Sequence, residues 1–96
     1  MRKYEIMFIA RPTLSEEEKK NVIAKFSKIL TDNKATITSE KDMGQRELAY
    51  EIKDFKSGFY YIVTIESAND AAINEFDRQA RNTQDIIRHL ITRIED

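Results

Sequence analysis

Phe59-Tyr60-Tyr61-Ile62-Val63-Thr64-Ile65-Glu66 is the most strand-like stretch of the chain, and the rest is read outward from it. Its β-branched and aromatic residues suit a pleated backbone. Both alternating sets, Phe59/Tyr61/Val63/Ile65 and Tyr60/Ile62, are apolar. Just before it, Lys53-Asp54-Phe55-Lys56-Ser57-Gly58 reads as a turn. Earlier still, Ala35 to Ile52 reads as one long strand or two short collinear ones. Ile37 starts it, Gly44 suggests a bulge, and Leu48, Tyr50 and Ile52 share a face. After the central stretch, Asn69 can cap a helix carrying Ala72, Ile73, Phe76 and Ala80 on one face. Ile86 to Ile94 finish as a strand.

Toward the start, Tyr4, Ile6, Phe8 and Ala10 alternate with Lys3, Glu5, Met7 and Ile9, the period of two expected of a strand. Pro12 ends it, because proline cannot donate to a ladder. A helix follows: Ser15 with Glu18 fits a capping box, as does Thr13 with Glu16. Glu16 to Glu18 lie where the helix dipole favours negative charge. Val22, Ile23, Phe26, Ile29 and Leu30 then fall on one face, and Asn33 suits a left-handed stop. The order βαββαβ predicts an α+β, ferredoxin-like sandwich. In it a four-stranded antiparallel sheet, spatial order 4-1-3-2, carries two helices on one face.

Ninety-six residues, 41% hydrophobic and 34% charged, suit one domain with one core spanning 1–96 and a well-solvated exterior. The net charge of -1 gives no general attraction to nucleic acid or acidic membranes, so phosphate binding would need a local patch. The absence of cysteine suits a reducing compartment. Met1 to Ala10 alternate in polarity and hold Glu5, unlike a signal peptide, and no apolar run approaches the ~20 residues of a membrane span. The expectation is a cytoplasmic protein with no membrane partner.

Two helices cover only one face of the sheet, and a solvated second face should be polar. Here Met7 and Ile9 lie opposite Ile6 and Phe8, the third strand is apolar on both faces, and Ile87 and Ile91 lie opposite Leu90. Such a patch marks a contact surface. Loops or chain ends could cover it instead; a macromolecular partner is the preferred reading. The first and fourth strands are neighbours in this topology. Residues 1–11 hold Arg2, Lys3 and Arg11 against Glu5, and residues 78–93 hold Arg78, Arg81, Arg88 and Arg93 against Asp85, with His89 between. That segregation suits phosphate recognition. A scattered solvated surface is the credible alternative for Arg78 and Arg81, and a weaker one for Arg2, Lys3, Arg88 and Arg93.

Catalytic chemistry is missing. His89 is the only histidine and there is no cysteine, so neither a zinc site nor a Cys-His pair can be built. A lone strand histidine is read as a surface or interface residue. Gly44 and Gly58 are too far apart for a phosphate-cradling loop. Acylphosphatases are similar in length only, since Ala10-Arg11-Pro12-Thr13 stands where their glycine-rich anion loop would be. No enzyme activity, cofactor, metal or small-molecule substrate is expected.

Met1-Arg2-Lys3-Tyr4-Glu5, Pro12, and above all Gly44-Gln45-Arg46-Glu47-Leu48-Ala49-Tyr50-Glu51-Ile52 followed by Gly58-Phe59-Tyr60 resemble the bacterial small-subunit ribosomal protein S-six family, over essentially the whole chain. The overall look is that of a Gram-positive-type member. The resemblance implies a structural role in the cytoplasmic ribosome. It implies binding to the central domain, or platform, of small-subunit ribosomal RNA, as a pair with small-subunit ribosomal protein eighteen, the isolated chain being monomeric. With it, the candidate RNA contacts are Arg2, Lys3, Arg46, Arg88, His89 and Arg93, and the candidate protein-partner contacts are Met7, Ile9, Tyr60 and Ile62. Two departures stand out. Glu51 follows the Leu-Ala-Tyr triplet where many members have proline. The chain ends at Glu95-Asp96 without the longer acidic tail that some members extend with glutamates, so that modification is not carried over.

Two other readings remain open at this point. An RRM-type single-strand RNA-binding module shares the element order, and Gly58-Phe59-Tyr60-Tyr61-Ile62 partly echoes its third-strand motif, although Tyr60 stands where that motif wants a small residue. Base stacking would require Phe59 and Tyr61 on the open face. A small homodimeric ferredoxin-like binding protein, its sheets paired with each other, is the second.

Overall fold

The computed structural model describes residues 2–95. Its elements run β1 (Arg2–Ala10), α1 (Glu16–Asp32), β2 (Thr36–Ile52), β3 (Phe55–Ser67), α2 (Ala71–Arg81) and β4 (Ile86–Glu95). The strands form one antiparallel sheet in the order β2-β3-β1-β4, the expected 4-1-3-2 read from the other side. Met1 and Asp96, which belong to the quoted opening and to the Glu95-Asp96 ending, lie outside the described residues.

Helix α1 starts where its chemistry dictates. The Ser15 hydroxyl accepts from the Glu18 N–H at 3.1 Å and the Glu18 carboxylate accepts from the Ser15 N–H at 2.9 Å, which closes the capping box. Those bonds hold the Glu18 carboxyl below its ordinary range. At the other end Asn33 does not take the left-handed position, which passes to Lys34 at φ 68°. Asn33 instead donates its side-chain amide to the Ile29 carbonyl at 2.8 Å. A second displacement concerns α2. Its N-cap residue is Asp70, whose side chain makes no cap bond, while Asn69 accepts from the Ala71 N–H at 2.9 Å from one residue further out. Asp70 is engaged elsewhere, by the Tyr4 hydroxyl at 2.6 Å and the Arg2 guanidinium at 2.8 Å.

The core lies between the helices and one sheet face. Ile6, Phe8 and Ala10 of β1, Val63 and Ile65 of β3, Phe26 and Leu30 of α1 and Phe76 of α2 are all buried. Phe8 is its centre: its ring lies 5.9 Å from Phe26, 5.4 Å from Tyr61 and 5.9 Å from Phe76. Such tilted ring pairs add to the burial of large apolar area.

The turn between β2 and β3 is shorter than the sequence suggests. Ile52 pairs with Phe55, and only Lys53 and Asp54 form the loop, both left-handed at φ 49° and 69°. That is the two-residue hairpin with both central residues at positive φ, but without the Asn-Gly or Asp-Gly pair that normally announces it. Strand β3 therefore begins at Phe55, four residues earlier than its apolar run. Gly44 does sit at a bulge, at φ 75°, where the register slips between Asp42 and Gly44. There Asp42 accepts from the Gly44 N–H at 2.8 Å.

Candidate functional site on the open face of the sheet

Register assigns the faces. Tyr4–Ile65, Ile6–Val63, Phe8–Tyr61 and Ala10–Phe59 pair across β1 and β3 on the helix side. Met7–Ile62 and Ile9–Tyr60 pair on the open side. Phe59 and Tyr61 thus belong to the core side, and the ring arrangement that an RRM needs is absent: its stacking platform is turned inward. On β4, Leu90 pairs with Met7 and Arg88 with Ile9, which puts them on the open face, whereas Ile91 pairs with Ile6 and packs against the core.

This open face is apolar at its centre and only partly bare. Met7, Tyr60 and Ile62 are half-buried and Leu90 is 54% exposed. Ile9, counted with them from the sequence, is 3% exposed and offers no surface to a partner. The reason is the far end of the β2–β3 hairpin. Leu48, Ala49, Tyr50 and Ile52 arch back over the sheet and, with Met7, Ile9, Tyr60, Arg88 and Leu90, enclose a small cleft. The Arg88 guanidinium donates to the Tyr50 hydroxyl at 2.6 Å, tying the hairpin to the opposite edge strand. The cover is thus neither a loop nor a chain end but the hairpin itself, for which the shared apolar face of Leu48, Tyr50 and Ile52 is the signal in the sequence. Gly58, buried beside this contact, lets the backbones approach: a Cβ there would collide with the Ile9 side chain and lie 2.9 Å from the Ala10 carbonyl oxygen.

The six basic candidates do not gather in one patch. Lys3, on the open side, lies 3.8 Å from Glu66. Arg2 is ion-paired to Asp70, and Arg93 adds its charge near the same carboxylate. The Tyr4 hydroxyl first and Arg2 second hold Asp70 below the usual carboxylate range. Arg46 stands on β2, at the other edge from β4, and donates to the Met43 carbonyl at 3.2 Å. His89 points to the helix side, where Nε2 lies 2.7 Å from Asp77 and its ring meets Phe76 edge-on at 6.1 Å. Of the six, Arg88 and Arg46 both lie on the open face and are exposed, on opposite edge strands of the sheet. Counting charge along the first and last strands overlooked Asp70, Glu75 and Asp77, which the topology returns to those cations as partners of Arg2, Arg78, and Arg81 with His89.

Residues 3–93 match the family described as ribosomal protein S6. The chain belongs to the ribosomal protein S6 family. The crystal structure of the 30S ribosomal protein S6 from Thermotoga maritima superposes with a TM-score of 0.92 at 35% identity, covering 97% of this chain and 87% of that one. The C-terminal domain of the MgtC protein from Mycobacterium tuberculosis shares the fold alone, with a TM-score of 0.66 at 10% identity over 99% of this chain and 89% of that one. Membership of the S6 family makes this chain a small-subunit ribosomal protein. It is an RNA-binding structural constituent of the cytoplasmic ribosome and not an enzyme. No helix is long and apolar enough to cross a membrane, and among the described residues no group of three potential metal ligands comes together.

Proposed function

We propose that this S6-family chain, one domain over residues 1–96, is monomeric alone and binds the central domain of small-subunit ribosomal RNA together with small-subunit ribosomal protein eighteen. The observation that carries the partner reading is the apolar centre of the open face. Met7 and Ile62 face each other across β1 and β3, Leu90 flanks Met7 from β4, and Tyr60 closes the patch. A face turned to water would be polar in those positions. Arg88, at the rim of that patch, is the candidate RNA contact best supported by its placement, with Arg2, Lys3 and Arg93 as a second group toward the other end of β1.

Sedimentation of the purified chain with and without ribosomal protein eighteen tests the pairing. A monomer that forms a heterodimer supports it, and a stable homodimer refutes it. Ile62→Asp is expected to abolish the heterodimer while leaving the far-UV circular dichroism unchanged, because Ile62 is half-buried on the open side. Arg88→Ala and Arg2→Ala are expected to weaken RNA binding by the pair, each lowering the salt-dependence slope by about one. Unchanged slopes would show that these cations face solvent in the complex.

A further inference from the structure

A concentration of positive charge lies at the end of the molecule where the β2–β3 turn, the β1–α1 loop and the α2–β4 loop meet. An open cleft of about 660 Å³ there is lined by Arg11, Thr13, Lys53, Phe55, Arg81 and the polar run Asn82-Thr83-Gln84, with Ile87. An adjoining cleft shares Lys53, Arg81 and Ile87 and continues to Arg88 and His89. Four permanent cations therefore line one continuous surface, and among the described residues no carboxylate lines either cleft. In a chain of net charge -1 that is a marked local excess.

The carboxylates nearby act from outside the clefts. Asp85 holds Arg11 at 3.0 Å, and Asp77 holds Arg81 at 3.1 Å, yet neither lines the surface. Surface pairs of this kind position a guanidinium without consuming its capacity for a stronger acceptor, and the Arg81 side chain is 72% exposed. Lys53 has no ion-pair partner among the described residues, and it is carried on a left-handed turn built without glycine, an uncommon conformation for lysine. Phe55, half-buried, presents a ring among these cations. Cations tracking a backbone beside an aromatic ring are what an unpaired nucleotide strand requires, since every base has a face to stack and every linkage a phosphate to neutralise.

We propose that this cleft binds unpaired RNA, with Lys53, Arg81, Arg11 and Arg88 holding phosphates and Phe55 stacking a base. It deepens the function proposed above, resting on direct RNA contact by this chain, and it moves the main contact from the long axis of β1 and β4 to the end of the molecule that carries the hairpin turn.

The intact chain is titrated with a single-stranded RNA hexanucleotide at low salt and followed by NMR. Amide shifts are expected in residues 11–13, 53–55 and 81–88. The double variant Lys53→Ala/Arg81→Ala should lose about tenfold or more in affinity, while Lys28→Ala on the outer side of α1 binds as wild type. Phe55→Leu should keep the fold but remove the ring-current shifts of the base protons. Amide shifts centred elsewhere, or a double variant that binds like wild type, overturn the proposal. A second titration uses the pair with ribosomal protein eighteen on a central-domain transcript. If the wild-type pair ignores the transcript while the hexanucleotide still maps to the cleft, the proposed function falls and the cleft stands. If the pair binds and the double variant keeps the full salt slope, the cleft falls and the function stands.

Discussion

Gly58→Ala adds one methyl group at a point of close approach. The new Cβ would collide with the Ile9 side chain, lie 2.9 Å from the Ala10 carbonyl oxygen and 3.4 Å from Ile87 Cδ1. The Ile9 branch could rotate, but the carbonyl belongs to β1, which is held by strands on both sides. Adding carbon to a close-packed interior costs typically about 1–3 kcal/mol, and a value near ~2 kcal/mol fits a site with one yielding and one unyielding neighbour. For a domain of this length each kcal/mol moves the melting temperature by about 4–8 °C. Scanning calorimetry should then show a drop of roughly 8–16 °C, and urea titration a lower midpoint with an unchanged slope. Ile9→Ala removes the yielding neighbour and is itself destabilising, by about 2–5 kcal/mol for loss of a buried side chain. The double variant should be less destabilised than the sum of the two, because the methyl groups compete for one space. A melting temperature within about 2 °C of wild type, or strict additivity in the double variant, would refute the close-approach account of this glycine.

Three further perturbations act on a charge pair, a turn and the core. Asp77 is held below its ordinary value of 3.8, first by His89 and then by Arg81. A carboxyl depressed in the folded state adds stability above the unfolded value and loses it as pH falls through the folded one. Wild type should therefore lose stability on acidification below about pH 4, and Asp77→Asn should lose less over that window in urea titrations at stepped pH. Asp54→Gly relieves a left-handed residue in the hairpin turn and should stabilise by about 0.5–1 kcal/mol, read as a higher urea midpoint. Phe8→Ala, which removes the ring that meets Phe26, Tyr61 and Phe76, should cost about 3–5 kcal/mol and leave the chain largely unfolded in moderate urea.

The element order and sheet topology were legible because each carries a local signature. These are the period of two in Tyr4 to Ala10, the Ser15/Glu18 box, the bulge glycine at position 44 and the apolar stripe of α2. The hairpin turn was misjudged in length because Lys53-Asp54 adopts a conformation usually reserved for glycine and asparagine. The faces of β3 were undecidable from composition, since both sets are apolar; only the pairing of Tyr61 with Phe8 and of Tyr60 with Ile9 separates them. The clustering of charge was the least legible part. Whether an arginine is available depends on carboxylates brought to it from distant positions, as Asp70 is to Arg2 across sixty-eight residues, and no window along the chain reveals that. The curl of the hairpin over Ile9 is likewise a tertiary event, announced only by apolar residues on what should have been an exposed strand end.

Strands β2 and β4 both end the sheet with unpaired backbone groups, and both are irregular. The register slips at Lys3/Tyr4 and Ile9/Ala10 on the β4 side, and at three places along β2. A straight, regular border would template the addition of further chains and so seed fibrils; kinks and charged side chains such as Lys41, Arg88 and Arg93 spoil that template. Borders spoiled in this way disfavour edge-to-edge addition of one copy of the chain to the next.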